Sequence, residues 1–199
     1  MIFSLVCIIM MMIGKQSISK KKEAFFMNPI IPPEVQSSIR SFHLPRFQEI
    51  PDVGLYLEQT SKYISDYYSP LGEIGLTGSM ISNYVKQKMI PRPVKKQYGR
   101  DQIAYLFFIA VAKQVLSMDH IRILFEMQKQ SYPLCDAYDY FCEEFEHALQ
   151  QFFDLREAMP DVTEKNQQEK RLLRLAVTTA ASSIYLGKNF EILSERSVN

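Results

Sequence analysis

Apolar side chains recur at intervals of three and four residues along most of the chain, and this spacing predicts an all-α protein. Asp52, Thr77 and Ser117 each precede an amphipathic segment and are expected to cap the helix that follows. No stretch alternates apolar and polar residues for long enough to demand a sheet, although residues 92–98 suit a small wing hairpin. One helix is predicted to start after Asp52, one to run from Thr77 to about residue 89, and one to cover 100–115. A fourth is predicted to start after Ser117, and two longer helices are predicted over 134–153 and 164–187.

The helix predicted over 100–115 is apolar on most of its sides, so we expect it at the centre of the fold. Gly187 is the expected stop of the last helix, because glycine adopts the left-handed conformation that commonly ends a helix. Residues 188–199 then form a polar tail.

The N-terminal segment contains an almost wholly apolar run, residues 2–13. These twelve residues would rise only about 18 Å as a helix, which is short for a bilayer core of about 30 Å. Lys22-Glu23 can be encoded by a ribosome-binding sequence, and three codons separate it from Met27. We therefore predict that residues 1–26 are a non-native extension and that translation begins at Met27; the alternative is a membrane-tethering tail.

Charge is distributed unevenly, although 23 basic and 22 acidic residues nearly cancel over the 199-residue chain. Residues 74–100 contain six basic side chains and no acidic one, whereas residues 134–164 contain nine acidic side chains and one basic one. Cations gathered without interspersed carboxylates create a local field that a polyanion can use. The alternative interpretation is an ordinary solvated surface.

The helix predicted over 77–89 is the strongest candidate for a binding surface. Its apolar residues share one face, and its other face carries Ser79, Ser82, Asn83 and Lys86, which suit the donor and acceptor groups of base edges in a major groove. A basic loop over 91–98 follows it. We expect phosphate contacts from the capping residue, the loop and the start of the next helix, namely Thr77, Arg92, Lys95, Lys96 and Arg100.

A polar helix, a basic loop and a hydrophobic helix follow one another in the order of a winged helix-turn-helix. The stretch with Thr77-Gly78-Ser79, Tyr84, Lys96-x-Tyr98 and LSMDHI resembles the DNA-binding head of MerR-type regulators. The phrases LPRFQEIPDVGLYLEQ, LTGSMISNYVKQKMIPRPVKKQY and RDQIAYLFFIAVAKQVLSMDHI resemble more closely the bacterial domain-of-unknown-function 1836 family, regarded as MerR-like regulators. The resemblance implies a MerR-like DNA-binding region over 27–131 that packs on C-terminal helices, and a role in transcription.

Residues 132–187 are expected to form a helical dimerisation or sensing module. Two amphipathic helices are predicted there, and most oligomers are two-fold dimers that match palindromic DNA sites. An intramolecular core is the alternative use of the same apolar faces. The sequence does not identify a small-molecule effector.

Catalytic and metal-binding patterns are missing from the sequence. The three histidines are isolated, no glycine-rich phosphate loop occurs, and Cys7, Cys135 and Cys142 form no zinc-binding pair. We interpret Glu143, Glu144, Glu146 and His147 as a solvated face. The sequence thus predicts a cytoplasmic, dimeric regulator that binds double-stranded DNA and needs no metal, cofactor or membrane; the alternative is a helical protein–protein adaptor.

Overall fold

The computed structural model describes residues 32–72, 74–153, 155 and 167–198. The predicted extension, residues 1–26, lies outside the described residues. The described chain is mostly helical with one small sheet, which confirms the all-α class. The α-helices are α1 (Pro33–Ser41), α2 (Leu57–Tyr68), α3 (Gly78–Lys86), α4 (Arg100–Ala112), α5 (Met118–Ser131), α6 (Leu134–Phe152) and α7 (Gln167–Val198), and the strands are β1 (Leu55–Tyr56) and β2 (Gln97–Tyr98).

Helix α4 lies at the centre, as its apolar sequence predicts. Every residue from 102 to 112 is buried, including Phe107, whose exposed fraction is zero. The rings of Tyr68 from α2 and Tyr138 from α6 pack on Phe107, and the Tyr68 hydroxyl donates a hydrogen bond to its carbonyl oxygen at 2.8 Å. Burial raises the pKa of both tyrosines well above the usual value of a phenol.

Helix α6 belongs to the same core. Its Phe145 contacts the rings of Phe42, directly after α1, and of Tyr68 in α2. Its Glu146 accepts hydrogen bonds from the backbone N–H of Leu44 at 2.8 Å and from the Arg46 side chain at 2.7 Å. The described residues between 32 and 198 belong to one compact unit, and the predicted domain boundary at 131/132 falls between its helices α5 and α6. The C-terminal helices therefore complete the core of the preceding region.

Two expectations about the C-terminal half are wrong. Helix α7 continues past Gly187 to Val198, so residues 188–198 are helical and do not form a separate tail. Glu144 and Glu146 are not part of a solvated face either: Glu144 is 2% exposed and pairs with Arg174 at 2.7 Å, and Glu146 pairs with Arg46. The pattern of side-chain charge could not distinguish a carboxylate facing water from one facing an arginine far along the chain.

Two of the three predicted N-cap residues cap a helix in the structure. Thr77 caps α3 by accepting a hydrogen bond from the N–H of Met80, and Ser117 caps α5 by accepting one from His120, both at 3.3 Å. The expectation for Asp52 is wrong, because the chain first forms β1 and α2 starts only at Leu57. The antiparallel pairing of Leu55 with Tyr98 holds this segment extended.

Candidate nucleic-acid interface

Helix α3 presents the predicted polar strip to solvent. Ile81 and Tyr84 anchor its inner face in the core, and Ser79, Ser82, Asn83 and Lys86 are all exposed on its outer face. These positions follow the spacing i, i+3, i+4, i+7, so they form one strip that extends about 10 Å along the helix axis. The strip is thus free of other helices in the described part of the molecule.

The N-terminus of α3 lies against α2. A Cβ added at Gly78 would lie 3.0 Å from the Glu58 carboxylate and 3.3 Å from the Leu57 side chain, so a larger residue here would require these two side chains to shift. The Thr77 hydroxyl is used locally, as the helix cap and as a 2.9 Å partner of the Ser79 hydroxyl. Glu58 places a negative charge beside the end of α3 that was expected to receive a phosphate, and the sequence pattern gave no sign of it.

The C-terminus of α3 ends in a left-handed turn. Lys88 has φ = 57°, the N–H of Met89 donates to the carbonyl of Tyr84 at 2.9 Å, and the N–H of Lys88 donates to Val85 at 3.0 Å. This is a Schellman ending, in which glycine usually occupies the left-handed position. A lysine therefore takes a backbone conformation that costs it about 1 kcal/mol, and its side chain is exposed.

The basic loop forms a tight hairpin turn. Val94 and Gln97 exchange two backbone hydrogen bonds, at 3.0 and 2.9 Å, and the two residues between them, Lys95 and Lys96, have φ = 51° and 66°. Positive φ at both central positions is the type I′ geometry, for which Asn-Gly is the preferred sequence. The hairpin expected within 92–98 is therefore present, and its tip consists of two exposed lysines.

The return strand of this hairpin ties it to the helical core. Gln97 and Tyr98 pair with Tyr56 and Leu55 of β1, and a Cβ at Gly54 would lie only 2.6 Å from that of Gln97, so the two strands approach where a side chain would not fit. The amide of Gln102, at the start of α4, donates to the Arg92 carbonyl at 3.2 Å.

Arg100 differs from the other predicted cations because contacts within the protein hold its side chain. Its Nε donates to the Ile50 carbonyl at 3.0 Å, its Nη1 donates to the Gln48 side chain at 3.1 Å, and its guanidinium carbon lies 5.7 Å from the centre of the Phe47 ring. The side chain is only 22% exposed and also faces Asp52. These contacts assign Arg100 to the packing of residues 47–52 on α4, and the expected phosphate contact has no support.

The other predicted cations stay available. Among the described residues, no hydrogen bond or ion pair engages the side chains of Lys86, Arg92, Lys95 or Lys96, and all four are exposed. Two apolar residues beside them were missed by sequence reasoning: Val94 is 71% exposed and Tyr56 is 54% exposed. The surface is therefore cationic with a small apolar margin, which suits a sugar–phosphate backbone better than a small anion.

Residues 45–141, just under half of the chain, match the family model described as Domain of unknown function (DUF1836). This match supports placing that segment in the DUF1836 family and contains all of β1 to α5, the polar strip and the hairpin. Among curated proteins and among solved structures, no match was found.

Two further findings concern the described residues alone. None of their helices has a stretch both long and apolar enough to cross a bilayer. They also contain no cluster of three histidine, cysteine or carboxylate side chains arranged to hold a metal ion.

Proposed function

We propose that this protein binds double-stranded DNA as a dimeric transcription regulator of MerR-like, winged helix-turn-helix type. In this proposal α2 and α3 are the two helices of the motif, and residues 91–98 are the wing. Base edges are read by Ser79, Ser82, Asn83 and Lys86, and phosphates are held by Arg92, Lys95 and Lys96, whereas Thr77 serves as the cap of α3.

The observation that carries the proposal is the lysine pair at the hairpin tip. A type I′ turn is formed most easily by Asn-Gly, and two lysines adopt it at a cost in stability. Unfavourable backbone conformations cluster at functional sites, where the side chain is needed more than the local stability. Two exposed ammonium groups at the end of a hairpin are suited to phosphate contact across a groove.

The dimensions and chemistry of α3 agree with major-groove binding. A major groove is about 12 Å wide and admits one helix. The strip has no bulky apolar side chain, Asn83 offers the donor–acceptor pair that matches adenine, and Lys86 can donate to guanine or to phosphate.

The charge of Glu58 fixes which part of α3 can approach a phosphate. Since this carboxylate lies beside Gly78, the first turn is the least favourable part of the strip for a polyanion. Among the described residues, the side chains of Lys86 in the last turn and of the nearby Lys88 form no ion pair with a carboxylate.

Dimerisation is supported by the outer face of α7. Leu172, Leu175 and Leu186 are 39%, 63% and 52% exposed, and they occupy positions of one heptad pattern with Thr179 between them. Leu172 and Leu186 lie seven residues on either side of Thr179, so two antiparallel copies of α7 would bring each Leu172 against a Leu186. Such a self-complementary surface suits a two-fold interface.

The test begins with selection of a binding duplex from a random double-stranded library, followed by fluorescence anisotropy with that duplex. Asn83→Ala should weaken binding to the selected duplex by about tenfold or more, as expected for one lost bidentate contact, and leave binding to unrelated duplexes nearly unchanged. The double variant Lys95→Glu/Lys96→Glu should abolish both.

The matched control is Arg122→Glu/Lys129→Glu, which makes the same change in charge on the exposed face of α5. It should bind DNA far better than the wing variant. A folded wild-type protein that selects no duplex, or equal losses in the wing variant and the control, would contradict the proposal. Failure of the folded wild-type protein to select any duplex would favour an adaptor whose basic face binds an acidic protein.

A further inference from the structure

A half-open pocket of about 350 Å³, called the cavity below, lies between α4, α5, α6 and α7, on residues that the proposed DNA contacts do not use. Folded proteins leave few voids larger than a water molecule, and pockets for small ligands start at about 300 Å³. An engineered apolar cavity of about 150 Å³ is already large enough to bind benzene. The space here is thus large enough to hold a small organic ligand.

Seven of the seventeen residues that line the cavity are aromatic. Tyr105 and Phe108 come from α4, Phe125 from α5, and Phe141 from α6, with the methyl group of Ala137 between the helices. Flat rings favour an aromatic guest, because edge-to-face and offset contacts add to the gain from burying apolar surface. The walls thus favour a planar hydrocarbon skeleton.

The rim carries charges of both signs. The Lys170 ammonium lies 5.3 Å from the centre of the Tyr140 ring and 5.8 Å from that of Tyr132. Glu169 accepts a hydrogen bond from Ser131 at 3.1 Å on the same side. A charged ligand of either sign would meet both a like and an opposite charge here, so the rim selects neither sign, and entry into the apolar interior would cost the ligand its hydration.

The polar groups of the lining include a hydrogen-bonded pair, Tyr105 and Gln128. The Tyr105 hydroxyl donates to the Gln128 side chain at 3.2 Å, and the Gln128 amide donates to the Tyr132 carbonyl at 2.7 Å. The lone pairs of the Tyr105 oxygen can accept one hydrogen bond from a guest. A single such contact fixes orientation in an otherwise apolar site.

We infer that this cavity binds an uncharged small molecule built on one or two aromatic rings, with one hydroxyl or amine group that donates to Tyr105. The inference does not depend on DNA binding. It extends the protein's function to recognition of a small organic ligand by the half of the core formed by α4 to α7.

The test uses 2-naphthol as the probe and the full chain. Saturation-transfer NMR with a titration should show one site with a dissociation constant of about 0.1–1 mM, as expected for an eleven-atom ligand of ordinary efficiency. Naphthalene-2-sulfonate and 2-naphthylmethylammonium, which share the ring system, should each bind at least about threefold more weakly because of their charge.

Ala137→Phe should fill the cavity and weaken 2-naphthol binding by about tenfold or more, whereas Ala137→Ser should keep it. Leu173→Trp fills the same space from α7 and is the second variant if the first does not fold. Absence of binding to the folded wild type, or unchanged binding in both filled variants, would overturn the assignment of a ligand site. Tighter binding of the sulfonate or the ammonium would overturn the assignment of an uncharged ligand.

Discussion

Replacing Lys95-Lys96 by Asn-Gly should stabilise the protein and weaken its DNA binding at the same time. Both lysines have positive φ, which costs an ordinary residue about 1 kcal/mol or more at each position. Glycine offsets about 0.5–1 kcal/mol of the stabilisation, because it loses more conformational entropy on folding than other residues do. The net expected stabilisation is about 1 kcal/mol, or a rise in Tm of about 2–4 °C for a chain of this size.

The assay pairs thermal unfolding, followed by circular dichroism, with fluorescence anisotropy on a selected duplex. Loss of two phosphate contacts should make the negative slope of log Kobs against log salt less steep by about 1.8 per protomer. Lys95→Asn/Lys96→Asn is the matched variant, because it removes the same charges and gains less from the backbone. A fall in Tm would refute the reasoning about the turn, and unchanged DNA binding would refute its proposed purpose.

Three more predictions address other parts of the molecule. Arg174→Ala should destabilise the fold by about 3 kcal/mol in urea unfolding, because it leaves the Glu144 carboxylate buried, and adding Glu144→Leu should restore most of the loss. The free energy of unfolding should keep its full value below about pH 10 and fall as the pH rises further, because Tyr68 and Tyr138 have raised pKa values in the fold and ionise at about 10 when unfolded. Circular dichroism and phenolate absorbance should then change together. Glu58→Gln should tighten duplex binding severalfold by removing the carboxylate beside α3, and weaker binding would contradict the assigned position of the DNA.

The sequence predicts local features of the fold well. Thr77 and Ser117 cap helices because the cap is a contact between near neighbours, and α4 is central because its apolar residues surround its axis. Features that depend on distant partners were not predictable. Asp52 does not cap a helix because the segment that follows it pairs with residues 41 and 43 positions further along the chain. Glu144 is buried because Arg174 reaches it from α7.

The same distinction applies to the candidate interface. The strip of Ser79, Ser82, Asn83 and Lys86 follows from helical spacing alone, and the structure leaves all four exposed. Arg100 could not be separated from the other cations by sequence, since its partners lie some fifty residues earlier in the chain. Glu58 was likewise hidden, because only the close approach of α2 and α3 at Gly78 brings it to the site.

The salt dependence of duplex binding by the wild-type protein tests the central proposal most directly. The three exposed cations proposed to hold phosphates, Arg92, Lys95 and Lys96, should each displace about 0.9 counterion. A plot of log Kobs against log salt should therefore have a slope of about −2.7 per protomer, or about −5 for a dimer on two half-sites. A slope near zero, or no measurable binding to duplex DNA at low salt, would contradict the account.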